Sequence, residues 1–474
     1  MRFLPQSSSL KVLVQKFATW RERSSDQALL SKVQPTGGVQ SATAATPIST
    51  SIAIGITTGT LGILFDLSFA VLIFSNSLSD YLSAGIGFIL FSAAATRIMV
   101  GLTSSFPGMV ADLAGIPTAI IAWSTGMVIR QLPTTATATE LLVTVIVTIA
   151  LTSTLTGVFL WIIGTLKVGS VVRFLPDAAI GGFIASSGWL LVKGAFEVFT
   201  GQALTFATLG TFAQSVSPMQ WLPGLILAVY LFIITRRYSH SLVMAGSLVL
   251  AIALFYGTLS LTGTSLAEAS AQGLTLGIPS LHTTWQLLSW SDLWQINWPA
   301  IGAQWMCSGT VSAITAVLLL MNVKSMEVVL SQKIDINHEL KVAGSANILM
   351  GLGGGILSFH SFGRSILAHK MGGRTRLVTI VGAATFIILP LLFSSWLAYF
   401  PTTILGGLLL YLGLCALYEW LYCARKKLST LDYCMIHFIW LVSAIVGFLQ
   451  GLAVGWAIAL GLGIYRAIAQ KQPS

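Results

Sequence analysis

Arg364 is the residue whose chemistry is hardest to explain as packing. It lies in Ser361-Phe362-Gly363-Arg364-Ser365, within the stretch Ser358–Lys370, which follows the glycine run Gly351-Leu352-Gly353-Gly354-Gly355 and interrupts long apolar sequence on both sides. A guanidinium at membrane depth costs about 2.5–3.5 kcal/mol on insertion scales, so such a residue normally faces a cavity or a partner. The context predicts a short helix that begins inside the membrane near Arg364. Its first backbone N–H groups, with roughly half a unit of positive charge at the helix start, would share an anion with the guanidinium. A structural ion pair, or snorkelling to the inner interface, is the competing use of the same residue.

A second interrupted segment occurs early in the chain. Gly115-Ile116-Pro117-Thr118-Ala119 follows Phe106-Pro107-Gly108 and a weakly apolar stretch through Asp112, and Pro after Gly-Ile reads as the start of a helix. Too few residues remain, to about Val128, for a full crossing. Asp66 in the first apolar segment is a coupling carboxylate, an ion-pair partner or a residue at a helix break, and Arg97 in the second is expected to pair with an acid such as Asp112. Cys307, Cys415, Cys423 and Cys434 follow no disulfide or metal-ligand spacing. No His/Asp or His/Glu cluster gathers at one membrane depth, which argues against an enzyme and for no cofactor.

The elements that must position these residues are membrane helices. Of 474 residues, 55% are hydrophobic and 8% charged, with mean hydropathy +0.85, against about 25% charged in a soluble domain. At about 20 residues per crossing, Ile52–Ala467 accommodates about fourteen segments, counting the two short ones. The net charge of +10 does not indicate nucleic acid. The basic residues gather in both tails and in alternate gaps, which places both termini in the cytoplasm of a multi-pass cell-membrane protein. Residues 1–47 form a leader, partly disordered or amphipathic. Residues 48–261 hold segments one to seven, 262–297 an outer loop with His282, 298–468 segments eight to fourteen, and 469–474 a short inner tail. Crossings are expected at Ala84–Ser105, Trp298–Asn322 and Val342–Leu357 among others, with Ser325–Leu340 as a polar inner connection. The interrupted segments fall third and tenth, matching places in two halves, which points to an inverted repeat with a midplane site.

The run Asn337-His338-Glu339-Leu340, Gly344-Ser345-Ala346-Asn347, Gly353-Gly354-Gly355, Ser361-Phe362-Gly363-Arg364-Ser365 and Gly372-Gly373-Arg374-Thr375 resembles the SulP family of anion transporters (solute carrier family 26 and its bacterial relatives). Phe174-Leu175-Pro176 to Gly181-Gly182-Phe183 is similar to the family's fourth-to-fifth helix connection. Ser105-Phe106-Pro107-Gly108 looks closer to a divergent bacterial and fungal branch. The resemblance implies an all-α polytopic membrane protein in a seven-plus-seven inverted repeat, with core and gate domains and half-helices three and ten meeting at mid-membrane. It implies secondary transport of a small inorganic or organic anion and a homodimer.

By the same match, Ser361, Phe362, Gly363, Arg364 and Ser365 fall at the substrate end of the tenth helix. Pro117, Thr118 and Ala119 fall at the start of the third, and Phe69 beside the substrate. Many relatives carry a coupling glutamate on the eighth helix. Asn322 takes that place here, leaving sodium or proton coupling without its carboxylate there, with Asp66 as the other coupling candidate. The family's C-terminal STAS domain is expected to be absent. A passive anion channel, a carrier for uncharged or cationic solutes, and a membrane sensor or subunit without transport of its own are the rival readings.

Overall fold

The computed structural model describes residues 47–167, 176–202, 204, 216–238, 242–277, 291–330, 332–426 and 428–469. The leader through residue 46, Phe174 and Leu175 of the fourth-to-fifth connection, His282 and residues 470–474 lie outside them.

The principal helices are α1 (Ile48–Phe74), α2 (Leu82–Thr103), α3 (Gly115–Gln131), α4 (Ala138–Thr165), α5 (Asp177–Thr200), α6 (Pro218–Arg237) and α7 (Val243–Thr262) in the first half. The second half has α8 (Trp305–Leu330), α9 (Ile336–Leu352), α10 (Phe362–Lys370), α11 (Arg376–Leu392), α12 (Thr402–Leu417), α13 (Thr430–Ile445) and α14 (Phe448–Ala469). Among the described residues, eight helical stretches are long and apolar enough to cross a membrane unaided. Both half-helices are short: α3 has 17 residues and α10 only 9. At about 1.5 Å per residue neither covers a hydrocarbon core of about 30 Å.

One feature was not expected of an all-helical chain. The extended residues before each half-helix form two short strands, β1 (Ala111–Leu113) and β2 (Ser358–His360). They pair antiparallel, with Ala111 opposite His360 and Leu113 opposite Ser358. Backbone groups freed from a helix within a membrane need partners, and each interrupted segment supplies them to the other.

The helix contacts repeat with an offset of seven. α4 packs on α9 as α11 packs on α2, α1 on α11 as α8 on α4, and α6 on α12 as α13 on α5. Among the described residues, the helix contacts of the two halves thus correspond. Small residues allow the closest crossing. A Cβ on Gly157 would lie 2.6 Å from the Ile348 nitrogen, and one on Gly344 would lie 2.6 Å from the Trp161 nitrogen, so α4 and α9 meet backbone to backbone.

Two boundaries correct the sequence reading. α8 continues through Leu330, into what hydropathy gave as a polar connection, and Lys324 and Glu327 pair at 2.5 Å within that turn. α9 begins at Ile336 because the Asp335 carboxylate accepts from Asn337 N (3.0 Å) and His338 N (3.1 Å). It ends at Leu352, so Ile356 and Leu357 belong to the extended approach to β2.

Candidate functional site

The two half-helices start beside one another because their leading strands are paired. Beyond the ladder, Ser361 N donates to Val110 O (2.8 Å), and Val110 N donates to the Ser365 hydroxyl (3.0 Å). Neither helix start receives a side-chain cap. The first intrahelical bonds are Thr118 N to Ala114 O (2.8 Å) and Ser365 N to Ser361 O (3.1 Å). Among the described residues, the N–H groups of Gly115, Ile116, Gly363 and Arg364 are therefore left as donors at the two starts, and Pro117 has none to leave.

Side chains from two further helices hold β2. Asn347 on α9 accepts from Ser358 N (2.9 Å) and donates to Ser358 O (2.7 Å). Asn322 on α8 donates to His360 O (2.9 Å). The buried His360 ring places Nε2 2.6 Å from Glu339 Oε2, while Glu339 Oε1 accepts from Ser105 N (2.7 Å) and Ser105 Oγ (2.5 Å). Glu339 thus joins the end of α2 to the strand that leads into α10. Thr379 on α11 donates to Met109 O (2.8 Å), fixing the approach to β1 from the other side.

Four charged side chains occupy this region. Asp112, in β1, is paired with Arg97 of α2 through one carboxylate oxygen and with Arg364 Nη1 of α10 through the other, the latter at 2.5 Å. The Arg97 guanidinium is fully buried, lies over the Phe386 ring at 4.4 Å and donates to Thr58 O (3.4 Å). Arg364 keeps 15% exposure and lies 5.2 Å from the Phe65 ring centroid. Asp66, one residue after Phe65, is fully buried. Neither of its oxygens has a hydrogen-bond partner among the described residues. Two arginines thus face two aspartates, and one aspartate takes both direct ion pairs.

The structure brings the sequence candidates together in graded positions. Ser361, Phe362, Gly363 and Arg364 retain exposure, and space is open around the Gly363 Cα. Pro117, Thr118 and Ala119 are buried at the start of α3, and the Thr118 hydroxyl has no partner among the described residues. Ser365 is buried with its hydroxyl engaged on Val110. Phe69 is buried beside Gly115, where a Cβ would come 3.2 Å from its ring. Asn322 reaches the site through the backbone of β2.

Sequence reasoning paired Asp112 with Arg97 and missed its second partner. Counting intramembrane charges was the available signal, since Arg97 and Arg364 need two acids and, among the described residues, Asp66 and Asp112 are the acids that act on them. The bridging role of Glu339 was also missed.

Paired half-helices around a buried charge cluster, in a chain of repeated membrane helices, define a multi-pass membrane protein with an inverted-repeat arrangement. Residues 48–458 match the profile of the Sulfate permease family, and the chain belongs to that family. It is 26% identical over 68% of its length to the vacuolar basic amino acid transporter VSB1 of Saccharomyces cerevisiae, covering 32% of that protein. It is 25% identical over 55% of its length to the probable sulfate transporter MT1781 of Mycobacterium tuberculosis, covering 45% of that protein. The chain thus spans less than half the length of these two curated relatives. The transmembrane domain of the cyanobacterial bicarbonate transporter BicA superposes with a TM-score of 0.64 at 17% identity, covering 86% of this chain and 97% of that one. The two share a fold.

Proposed function

We propose that this chain is a secondary transporter of a small anion, of the sulfate, bicarbonate, nitrate or carboxylate class, working by alternating access in a cell membrane. The carrying observation is the pair of uncapped half-helix starts, α3 and α10, with Arg364 between them. Donors and dipoles aimed into one small space bind an anion without a large net charge, which suits a site that must also release its ligand. Relatives named as sulfate and bicarbonate transporters support the reading. The distribution of basic residues supports cytoplasmic termini, and the family resemblance supports a homodimer.

A second reading, transport of a cationic solute, is favoured by a specific observation. Arg364 is already paired with Asp112, whereas the buried Asp66 carboxylate has no hydrogen-bond partner among the described residues and could receive a positive group. The relative named as a basic amino acid transporter points the same way.

Uptake by proteoliposomes of the purified chain separates the two. Labelled sulfate, nitrate, bicarbonate and arginine are offered in turn, with and without a counter-ion gradient. Anion uptake that Arg364→Ala abolishes is the expected result. Arginine uptake alone would replace the first reading with the second. Flux that runs only down the anion's own gradient would make the protein a channel. Anion binding without movement would make it a sensor.

A further inference from the structure

We propose that Asp66 carries a proton that binds together with the anion, so that the site is charged for anion capture only when this carboxyl is protonated. The inference rests on the anion reading above and adds a second ligand to the same site.

The argument is one of charge. The groups that act electrostatically on Asp66 are Arg97 from α2, Asp112 from β1 and Arg364 from α10. Helices α3, α5, α11 and α12 also pack on α1, and none of them adds a charged group to that set. With both aspartates ionised the cluster sums to zero, two positive and two negative. An anion entering beside Arg364 would then bring unbalanced negative charge into a water-poor interior, where an uncompensated charge is expensive. One proton on Asp66 leaves the cluster at plus one, so a monovalent anion such as nitrate restores neutrality and a divalent one such as sulfate leaves one negative charge in place of two.

Geometry selects Asp66 over Asp112 as the proton carrier. Both Asp112 oxygens face guanidinium groups, and protonation would break one or both pairs. Neither Asp66 oxygen receives a hydrogen bond from the described residues, so protonating it breaks no hydrogen bond there. The balance of the step is simple: one proton from solvent joins a carboxylate oxygen of Asp66 on one side of the membrane and leaves it on the other. Binding of proton and anion is mutually favourable and therefore reciprocal.

The test uses the purified full chain, with sulfate and nitrate as probes because neither takes up a proton itself between pH 5 and 8. Titration calorimetry in two buffers of different ionisation enthalpy reads the protons taken up per anion bound. The expected result is uptake approaching one proton at the alkaline end, with Kd rising about tenfold per pH unit there, as one-proton linkage requires. Asp66→Asn should bind the anion with Kd independent of pH and no proton uptake, and Asp66→Glu should restore the pH slope. Binding by the wild-type protein with no proton uptake overturns this inference and leaves the anion reading intact, whether or not the variants fold. An unchanged slope in Asp66→Asn also overturns it. Failure of the wild-type protein to bind either probe overturns this inference and removes sulfate and nitrate from the anion reading.

Discussion

Arg364 and Asp112 are joined by an ion pair of 2.5 Å, and it ties the first turn of one half-helix to the strand that leads into the other. The same carboxylate is held by Arg97, so the geometry of the α3 start and the α10 start is set by a single acid shared between two cations. The arginine that would attract a ligand is therefore oriented before any ligand arrives. Part of its field is already spent, which leaves the backbone donors of both starts as the rest of the attraction.

This shared acid separates two substitutions. Arg364→Ala leaves Asp112 paired with Arg97, so the protein should fold and insert, with a loss of about 1.5–3 kcal/mol, the worth of a charged hydrogen bond. Transport should nevertheless disappear. Asp112→Asn instead leaves two cations facing a neutral amide, and breaking a buried pair costs about 3–5 kcal/mol. It should lower Tm more than Arg364→Ala does. Thermal unfolding in detergent, set against uptake in proteoliposomes, checks the order. A Tm for Asp112→Asn at or above that of Arg364→Ala would contradict the shared-acid account.

Asn347 should matter to stability out of proportion to its size. Its amide serves both the N–H and the C=O of Ser358. Asn347→Ala leaves two buried backbone groups unpaired, at about 1–3 kcal/mol each. Asn347→Asp, with the new carboxyl protonated, keeps the acceptor for Ser358 N and one O–H donor where the amide donates to both Ala343 O and Ser358 O, so its Tm should fall between alanine and wild type. Both are read by thermal unfolding, and an alanine variant as stable as wild type would remove Asn347 from the framework.

The half-helices were legible in the sequence because their signals are rare in apolar surroundings: Pro117 after Gly115-Ile116, and Arg364 among serines after a glycine run. The pairing of β1 with β2 was not. Three-residue strands carry no periodicity, and their partners lie more than two hundred residues apart. The ends of α8 and α9 were misplaced because these helices include polar turns, where hydropathy carries no signal and only the Asp335 cap marks the boundary. Phe69 and Ser365 came from the family resemblance, which says that they are near the substrate. Their burial against Gly115 and Val110 depends on tertiary contact that no local pattern records.

The α4–α9 crossing offers a control on the scaffold rather than the site. Gly157→Ala and Gly344→Ala each force a Cβ against the facing backbone at 2.6 Å, and overpacking of this kind costs about 1–3 kcal/mol. Gly246→Ala, where nothing lies within 4 Å of the added carbon, should leave Tm unchanged. Comparable Tm values for all three variants would show that α4 and α9 are not in backbone contact.

Asn322 tests whether a neutral residue on α8 works through geometry or through ion coupling. Its amide holds His360 O at 2.9 Å, next to Ser361 and the α10 start. Asn322→Ala removes one hydrogen bond worth about 1 kcal/mol, so anion affinity should fall about fivefold. A positioning residue moves affinity and leaves the number of protons bound per anion untouched, whereas a coupling residue changes that number. Calorimetry of the variant in the same two buffers reads both quantities together. A changed proton count with affinity intact would return Asn322 to the coupling role and take it from the framework of β2.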